Sequence, residues 1–273
     1  MKKNQIWKTL MCLTALLTAL TLAGCTNDDD DDDNDASSNN GSSSAYSVGD
    51  IVLSDGTIIS AANANAMSTE QKAAAVAVIF YVGSRDDILG ARTLGVGLQN
   101  TYGEAVTGLA WCIKTADGYK KSISALLCTP SDGRSYSSDT TTFTGTINGS
   151  NSWTTLCDAV NDEDTKGNYP AWEWVNAYAA SQNLTGDFAS GWYIPSCAEL
   201  TVLYRAKETV NTSLIAANGT ALTNNYYLSS SQSNSSSSDG FNYAWRLSFE
   251  SGSIWDKEKR KDDVGVCCIR SFN

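Results

Sequence analysis

The feature that most restricts this fold is its N-terminal stretch, because the first 45 residues read as a targeting segment and a tether that take no part in a packed core. Lys2, Lys3 and Lys8 precede an uncharged apolar run from Leu10 to Leu22, which stops at Ala23-Gly24-Cys25. A spanning helix needs about 20 apolar residues, so this run is too short to be one. A positive start, an apolar middle and a small-residue end are the layout of an export signal, residues 1–24, which stands outside the fold. Residues 26–44 then carry Asp28 to Asp33 without a break, Asp35, and a Ser/Asn/Gly stretch. Like charges repel and small polar residues bury little, so 25–45 is expected to be an extended tether. The folded part is expected over 46–273.

Leu22-Ala23-Gly24-Cys25 resembles the bacterial lipobox. The resemblance implies cleavage before Cys25, a diacylglycerol thioether on its sulfur, and a lipid membrane as partner. Two acyl chains are enough for stable anchoring. An ordinary secretory signal with an incidental cysteine is the alternative. The acidic tether is similar to those of lipoproteins sent to the outer membrane or cell surface of some diderm bacteria. A plain solvated spacer fits the same composition.

From Ala45 onward the chain holds 229 residues, enough for one large domain or two small ones. Without Lys2, Lys3, Lys8 and the seven N-terminal aspartates, 16 Lys+Arg stand against 23 Asp+Glu, a net of −7. No basic face is available to neutralise phosphates, which argues against nucleic acid and against anionic lipid headgroups. The chain contains no histidine. Ser-His-Asp and Cys-His catalysis, His-ligated zinc and the usual general base near neutral pH are thereby excluded. Paired carboxylates would still permit glycosidase chemistry. The acidic residues, however, fall in loop-like stretches such as Asp162-Glu163-Asp164 and Asp262-Asp263, with no distinctive spacing. The expectation is a protein that is not an enzyme and needs no cofactor or metal.

Six cysteines follow Cys25: Cys112, Cys128, Cys157, Cys197, Cys267 and Cys268. An even number in an exported chain suggests disulfides, although sequence does not fix their pairing. No C-x-x-C pair occurs to hold zinc, and buried free thiols are the remaining alternative.

Ile51-Val52-Leu53 and Thr57-Ile58-Ile59 flank Ser54-Asp55-Gly56 and predict a tight hairpin. Ala73 to Val82 is almost wholly apolar, and its second half reads as a strand buried on both faces. Thr93 to Leu98 and Leu109 to Lys114 predict further short strands. Pro170 opens a helical pattern that ends near Ser181. Trp172, Val175 and Ala179 share one face and Trp174 and Tyr178 another, so this helix is expected to be pressed between other elements, its tryptophans in the core. Ser196 and Glu199 form an S-x-x-E capping box behind Pro195 and predict a helix of roughly three turns, with Leu200, Leu203 and Tyr204 inward. Residues 229–240 read as a Ser/Asn/Gln loop. Tyr243, Trp245, Leu247 and Phe249 alternate with Asn242, Ala244, Arg246, Ser248 and Glu250 and predict the clearest strand. Ser251-Gly252-Ser253 reads as a turn, Trp255 to Asp263 as a charged loop, and Val264 to Phe272 as a last strand with Cys267 and Cys268 on opposite faces.

The sequence of landmarks GWYIPSCAEL, LY, NYYLSSSQ, YAWRLSFESG and VCCIRSF resembles the C-terminal domain shared by collagen-like Lcl adhesins and many bacterial surface lipoproteins. Members read W-x-[LI]-P-[ST]-x-x-E-L, then Y/W-x-S-S-[SE], then A-W-x-V-x-F-x-x-G, and end near V-R-x-[FV]. Trp192 to Leu200, Tyr227 to Ser231, Ala244 to Gly252 and Val266 to Phe272 match these in turn. The likeness is specific over about residues 168 to 272 and weaker over 46 to 160. Ile269 before Arg270, with cysteines ahead of it, departs from the pattern. The resemblance implies an α+β, C-type-lectin-like domain: two helices packed on short twisted antiparallel sheets, with the termini close together. The EPN or QPD and WND motifs of calcium-dependent sugar binding are absent, so that activity is not implied.

On such a fold the loops between Tyr227 and Val264 gather at one end. The candidate ligand-binding residues there are Tyr226, Gln232, Asn234, Asp239, Phe241, Asn242, Arg246, Trp255, Asp256 and Lys257, with Tyr243 beside them. Tyr, Ser, Asn and Gly with a few Trp and Arg make up adaptable recognition surfaces. Aromatic faces stack on sugar rings or fill pockets on a protein. Alternation favours Tyr243 and Trp245 as core instead, Ser233 to Ser238 fits an idle loop equally well, and Trp255 fits core or contact. The composition of 224–243 is also what codons diversified by an adenine-mutating retroelement would encode. The expected function is a lipid-anchored surface protein that binds an unidentified glycan or protein ligand, adhesins included. A structural surface or assembly component is the alternative. An enzyme related to formylglycine-generating enzymes through Cys267 and Cys268 is disfavoured, because neighbours on opposite faces share a site poorly.

Overall fold

In the computed structural model, which describes residues 46–102, 108–132, 140–161, 166–234 and 241–272, the Asp55-Gly56 turn reverses the chain as the sequence predicts. Thr57 N donates to Asp55 Oδ1 at 2.8 Å. Gly56 takes φ +85°, a left-handed conformation that L side chains resist. The elements run β1 (Ile51–Leu53), β2 (Ile58–Ile59), α1 (Thr69–Ala74), β3 (Ala75–Val82), β4 (Thr93–Asn100), β5 (Cys128–Pro130), β6 (Phe143–Gly145) and α2 (Ser152–Ala159). They continue with α3 (Pro170–Ser181), α4 (Cys197–Arg205), α5 (Lys207–Ala216), β7 (Tyr226–Gln232), β8 (Tyr243–Ser248), β9 (Ile254–Glu258) and β10 (Cys267–Ser271). The fold is α+β. Its strands form an antiparallel five-stranded sheet in the order β10-β4-β3-β1-β2, an antiparallel pair β5-β6, and an antiparallel three-stranded sheet β7-β8-β9. All described residues belong to the compact unit Ser43–Asn273. The export signal, Cys25, the tether and Asp239 lie outside the described residues.

The five-stranded sheet divides two hydrophobic cores, which is why β3 is apolar on both faces. Ile51, Leu53, Val78 and Phe80 join one core, while Val52, Ala77 and Ile79 join the other. The first core is completed by Leu200 and Leu203 of α4, Val210 and Leu214 of α5, and Trp245 and Leu247 of β8. The second is completed by Trp111, Tyr169 and the buried side of α3, namely Trp172, Val175 and Tyr178. Each fully buried large apolar side chain contributes roughly 1.5–3 kcal/mol relative to exposure. Two glycines in β4 let the second core close tightly. A Cβ on Gly95 would sit 2.6 Å from Phe272 Cε2, and one on Gly97 would sit 2.5 Å from Tyr178 Oη and 3.0 Å from Cys268 Sγ. Glycine in a strand interior is costly, and here it admits aromatic rings against the backbone.

The helix expected from Pro170 is α3, with Pro170 in its first turn. The capping box expected at α4 is present: Glu199 N donates to Ser196 Oγ at 3.2 Å, and Ser196 N donates to Glu199 Oε2 at 2.8 Å. Glu199 does more than cap. Gly149 N donates to its Oε2 at 3.1 Å, Tyr193 Oη donates to its Oε1 at 3.0 Å, and the Arg92 guanidinium forms an ion pair with it. Four donors converge on a carboxylate that is fully buried. Burial and the neighbouring carboxylate push the Tyr193 phenol well above its ordinary range.

Four expectations are corrected. Leu109 to Lys114 is not a strand. Its backbone bonds go singly to separate segments, with Leu109 N donating to Val264 O at 2.9 Å and Ile113 N to Asn168 O at 2.9 Å. The supposed loop 229–240 begins inside β7, and Ser229, Ser230, Ser231, Gln232 and Ser233 are all buried. The supposed charged loop begins with a strand, β9, and Trp255 to Glu258 belong to it. The two helices that the resemblance implies are five, since α1, α2 and α5 join α3 and α4.

All six described cysteines are unbridged, and Cys157 alone among them is not fully buried. Burial pushes the Cys128 thiol up to about 11 and that of Cys267 up to about 12. Cys267 belongs to the first core and Cys268 to the second, on opposite sides of β10 as alternation requires. Among the described residues no helix is long and apolar enough to cross a membrane.

Candidate functional site

The register of the three-stranded sheet assembles a row from residues that are distant in sequence. Leu228 of β7 lies opposite Arg246 of β8, and Arg246 lies opposite Trp255 of β9. Residues opposed across an antiparallel pair share a face, and diagonal neighbours two residues away are within reach of long side chains. Tyr226 is such a neighbour, and the Arg246 guanidinium sits 3.9 Å from the centre of its ring. This is cation–π geometry. Leu228 is buried in the second core, whereas Arg246 and Tyr226 are half-buried and Trp255 is 43 % exposed. The row therefore runs from a packed end to a solvent-facing indole. Lys257 follows on the same face, with its Nζ 3.2 Å from Asp263 Oδ2.

The other expected site residues divide differently. Gln232 is fully buried and structural: Ile123 N donates to its Oε1 at 2.9 Å, and its Nε2 donates to Lys121 O at 2.9 Å. Asn242 is buried, and its Nδ2 lies 3.5 Å from Tyr119 Oη. Asp256 lies opposite Trp245, on the face away from Arg246, and accepts from Ser233 Oγ at 2.9 Å. Phe241 is half-buried, with its N donating to Lys120 O at 3.3 Å. Asn234 is exposed, and Asp239 lies outside the described residues. Tyr243 is half-buried rather than core, while Trp245 is core. Of the ten expected residues the structure thus gathers Tyr226, Arg246, Trp255 and Lys257 on one face.

Beside the row lies a charged cluster that the sequence did not reveal. Tyr119 Oη donates to Glu258 Oε1 at 2.6 Å, and Arg260 pairs with the same carboxylate at 2.8 Å. The Tyr119 hydrogen bond holds the Glu258 carboxyl below its ordinary range. Lys259 is 1 % exposed. Its Nζ donates to Gly118 O at 2.7 Å and to Tyr119 O at 3.3 Å, and lies 4.6 Å from the centre of the Trp111 ring. Burial pushes this ammonium down to about 8. Its carbonyl partners make it a clamp on residues 118–119. Nothing in sequence marks it, since Lys257, Lys259 and Lys261 look equivalent.

Apart from the row, a concavity of about 200 Å³ opens between α2, α3 and residues 191–194. Trp153, Trp172 and Trp192 line it, together with Ser150, Thr154 and Asn176. The Trp153 and Trp172 rings are 5.8 Å apart and tilted by 33°. Trp192 Nε1 donates to Phe188 O at 2.8 Å, whereas Trp172 Nε1 is buried without a partner among the described residues. The expectation that Trp172 is core holds for its burial but omits the cleft it floors. Among the described residues no group of three or more Cys, Asp or Glu side chains is placed to share a metal ion.

Compared with known proteins, the chain matches no family model, no curated protein and no solved structure.

Proposed function

We propose that this chain is a lipid-anchored, surface-displayed ligand-binding protein, of the adhesin-like kind that its C-terminal motifs resemble. The observation that carries the reading is the row Tyr226, Arg246, Trp255 on the open end of the three-stranded sheet. Tyr, Arg and Trp are the residue types that dominate binding energy at interfaces. Trp255 is 43 % exposed on β9, a strand in which Ile254 alone is buried, so its indole is open to a partner. Stacking on Tyr226 holds the Arg246 guanidinium in place before any partner arrives, which lowers the ordering cost of binding.

We read the α+β architecture as C-type-lectin-like. Support comes from the helices α3 and α4, the short antiparallel sheets, and the presence of the first and last strands in one five-stranded sheet. The lipobox-like Leu22-Ala23-Gly24-Cys25 supplies the anchor in this reading. Recognition is assigned to the sheet face, not to the serine-rich stretch, because Ser229 to Ser233 are buried.

The test is binding of soluble residues 46–273, the folded unit, to glycan and host-matrix protein arrays, beside Trp255→Ala and Arg246→Ala. Binding that both variants lose supports the row as the recognition surface. A folded wild-type domain that binds nothing and self-associates would replace this reading with the assembly-component one. Cys25→Ser in the full chain should move the protein from the membrane fraction to the soluble fraction, and retention in the membrane would remove the anchor from the proposal.

A further inference from the structure

We propose that the cleft between α2, α3 and residues 191–194 is a second binding site, and that it takes the ring of a neutral pyranose sugar. It shares no residue with the Tyr226–Arg246–Trp255 row, so the inference stands independently of the function assigned to that row.

The lining chemistry comes first. Trp153, Trp172 and Trp192 supply aromatic surface, Thr154 and Asn176 supply exposed polar groups at the rim, and no Lys, Arg, Asp or Glu is among the lining residues. An ionised ligand would lose hydration here without meeting a counter-charge. An aliphatic chain would leave the hydroxyl and amide facing apolar carbon. A pyranose has an apolar C–H face for the indoles and a hydroxyl edge for the rim, which matches both halves of the lining. Apolar and aromatic walls with a few fixed polar groups are the usual make-up of small-molecule sites.

The second observation is the aromatic pair in the wall. The Trp153 and Trp172 rings are 5.8 Å apart and tilted by 33°, and Trp153 is half-buried where Trp172 is only 2 % exposed, so Trp153 is the ring of the pair that a ligand can reach.

Size sets the third limit. At about 200 Å³ the cleft is smaller than the ~300–1,000 Å³ typical of sites for drug-sized ligands. One ring fits, either as a monosaccharide or as the terminal unit of a longer chain. A ligand of that size is expected to bind with a Kd of about 1 mM.

The test is saturation-transfer NMR on residues 46–273 with the methyl pyranosides of glucose, galactose, mannose and N-acetylglucosamine, and with glucuronate as the charged comparison. Saturation of ring C–H protons in at least one neutral pyranoside is expected, with glucuronate weaker. Asn176→Ala should weaken that binding by about tenfold, the loss of one hydrogen bond. Trp153→Ala should weaken it by about thirtyfold or more, and Trp255→Ala should leave it unchanged. Trp153 also packs on Tyr169, so Asn176→Ala, an exposed helix position, decides the matter if the tryptophan variant does not fold. The proposal is overturned if no neutral pyranoside is saturated, if glucuronate binds better than all of them, or if Asn176→Ala binds as wild type does.

Discussion

Glu199 is the residue whose loss should cost this fold most for the smallest change in shape. Its carboxylate is completely buried and receives Arg92, Tyr193 Oη, Gly149 N and Ser196 N. Consider Glu199→Gln, which keeps the volume and one carbonyl oxygen. Oε1 accepts from Arg92 and Tyr193, while Oε2 accepts from Ser196 N and Gly149 N, so either orientation of the amide sets an NH2 group against at least one obligate donor. The substitution also leaves the Arg92 side chain, only 19 % exposed, without a counter-charge. Breaking one partner of a buried ion pair costs about 3–5 kcal/mol, and a lost N-cap interaction typically costs about 1 kcal/mol more. The two overlap in the same atoms, so the expected total is about 3–5 kcal/mol. In a domain of this size that lowers Tm by roughly 6–20 °C. Arg92→Met leaves the carboxylate three donors and should cost less. The assay is urea unfolding of residues 46–273 for wild type, both single variants and the double variant. The cycle should return a coupling of at least about 1 kcal/mol, since the two side chains are in direct contact. A Glu199→Gln variant within about 1 kcal/mol of wild type, with unchanged m-value, would refute the reasoning. It would mean that the network relaxes without the carboxylate.

Three further outcomes follow from the packing around Gly97, Lys259 and the cysteines. Gly97→Ala places a methyl 2.5 Å from Tyr178 Oη and 3.0 Å from Cys268 Sγ, and should destabilise by about 1–3 kcal/mol in the same urea assay. Lys259 falls from its ordinary 10.5 to about 8 on burial, so between those values the unfolded chain binds the extra proton and the native state gains stability as pH rises. That contribution is fully present above 10.5 and lost as pH falls through about 8. The buried thiols titrate with the opposite sign, because Cys128 and Cys267 are pushed up from 9.0. The readout is therefore the difference between wild type and Lys259→Met at pH 7.5 and 9.5, and a difference that does not move with pH would contradict the assignment. A thiol reagent should label Cys157 first in native 46–273 and all six cysteines in denaturant without reductant. Fewer than six there would reveal a disulfide.

What the sequence disclosed, it disclosed through short-range rules. The Asp55-Gly56 hairpin, Pro170 at the head of α3, the Ser196/Glu199 box and the period-two pattern of β8 each depend on residues a few positions apart, and each formed as expected. Other elements were not predicted, α1 among them although a Ser68/Gln71 capping box opens it. α5 begins at Lys207, and Ala206 before it offers no side-chain cap, so nothing marked a second helix after α4. β9 carries Trp, Asp, Lys and Glu and looks like a loop, because only its pairing with β8 makes it a strand. The candidate site suffered in the same way, since the contact of Tyr226 with Arg246 exists only once β7 and β8 are in register.

The serine run shows why composition misled about function. Residues 229–233 read as a polar loop on the rule that Ser and Gln seek water, and that rule fails where irregular backbone is buried. Residues 195–197 and 121–123 pack beside β7 outside its ladder, so their backbone groups need partners that are not strands. Cys197 N donates to Ser231 Oγ at 3.0 Å, Ser230 N donates to Pro195 O at 2.8 Å, and Gln232 bonds both Ile123 N and Lys121 O. Serine suits this duty because it is small enough to bury and presents one donor and two acceptor positions on a short arm. Valine at 231 would be a better strand residue and would leave Cys197 N unsatisfied, at about 1–3 kcal/mol. The same hydroxyls that make a surface adaptable for ligands thus hold this interior together. Which of the two a given serine does is decided by the backbone group that arrives opposite it, and that neighbour comes from another part of the chain.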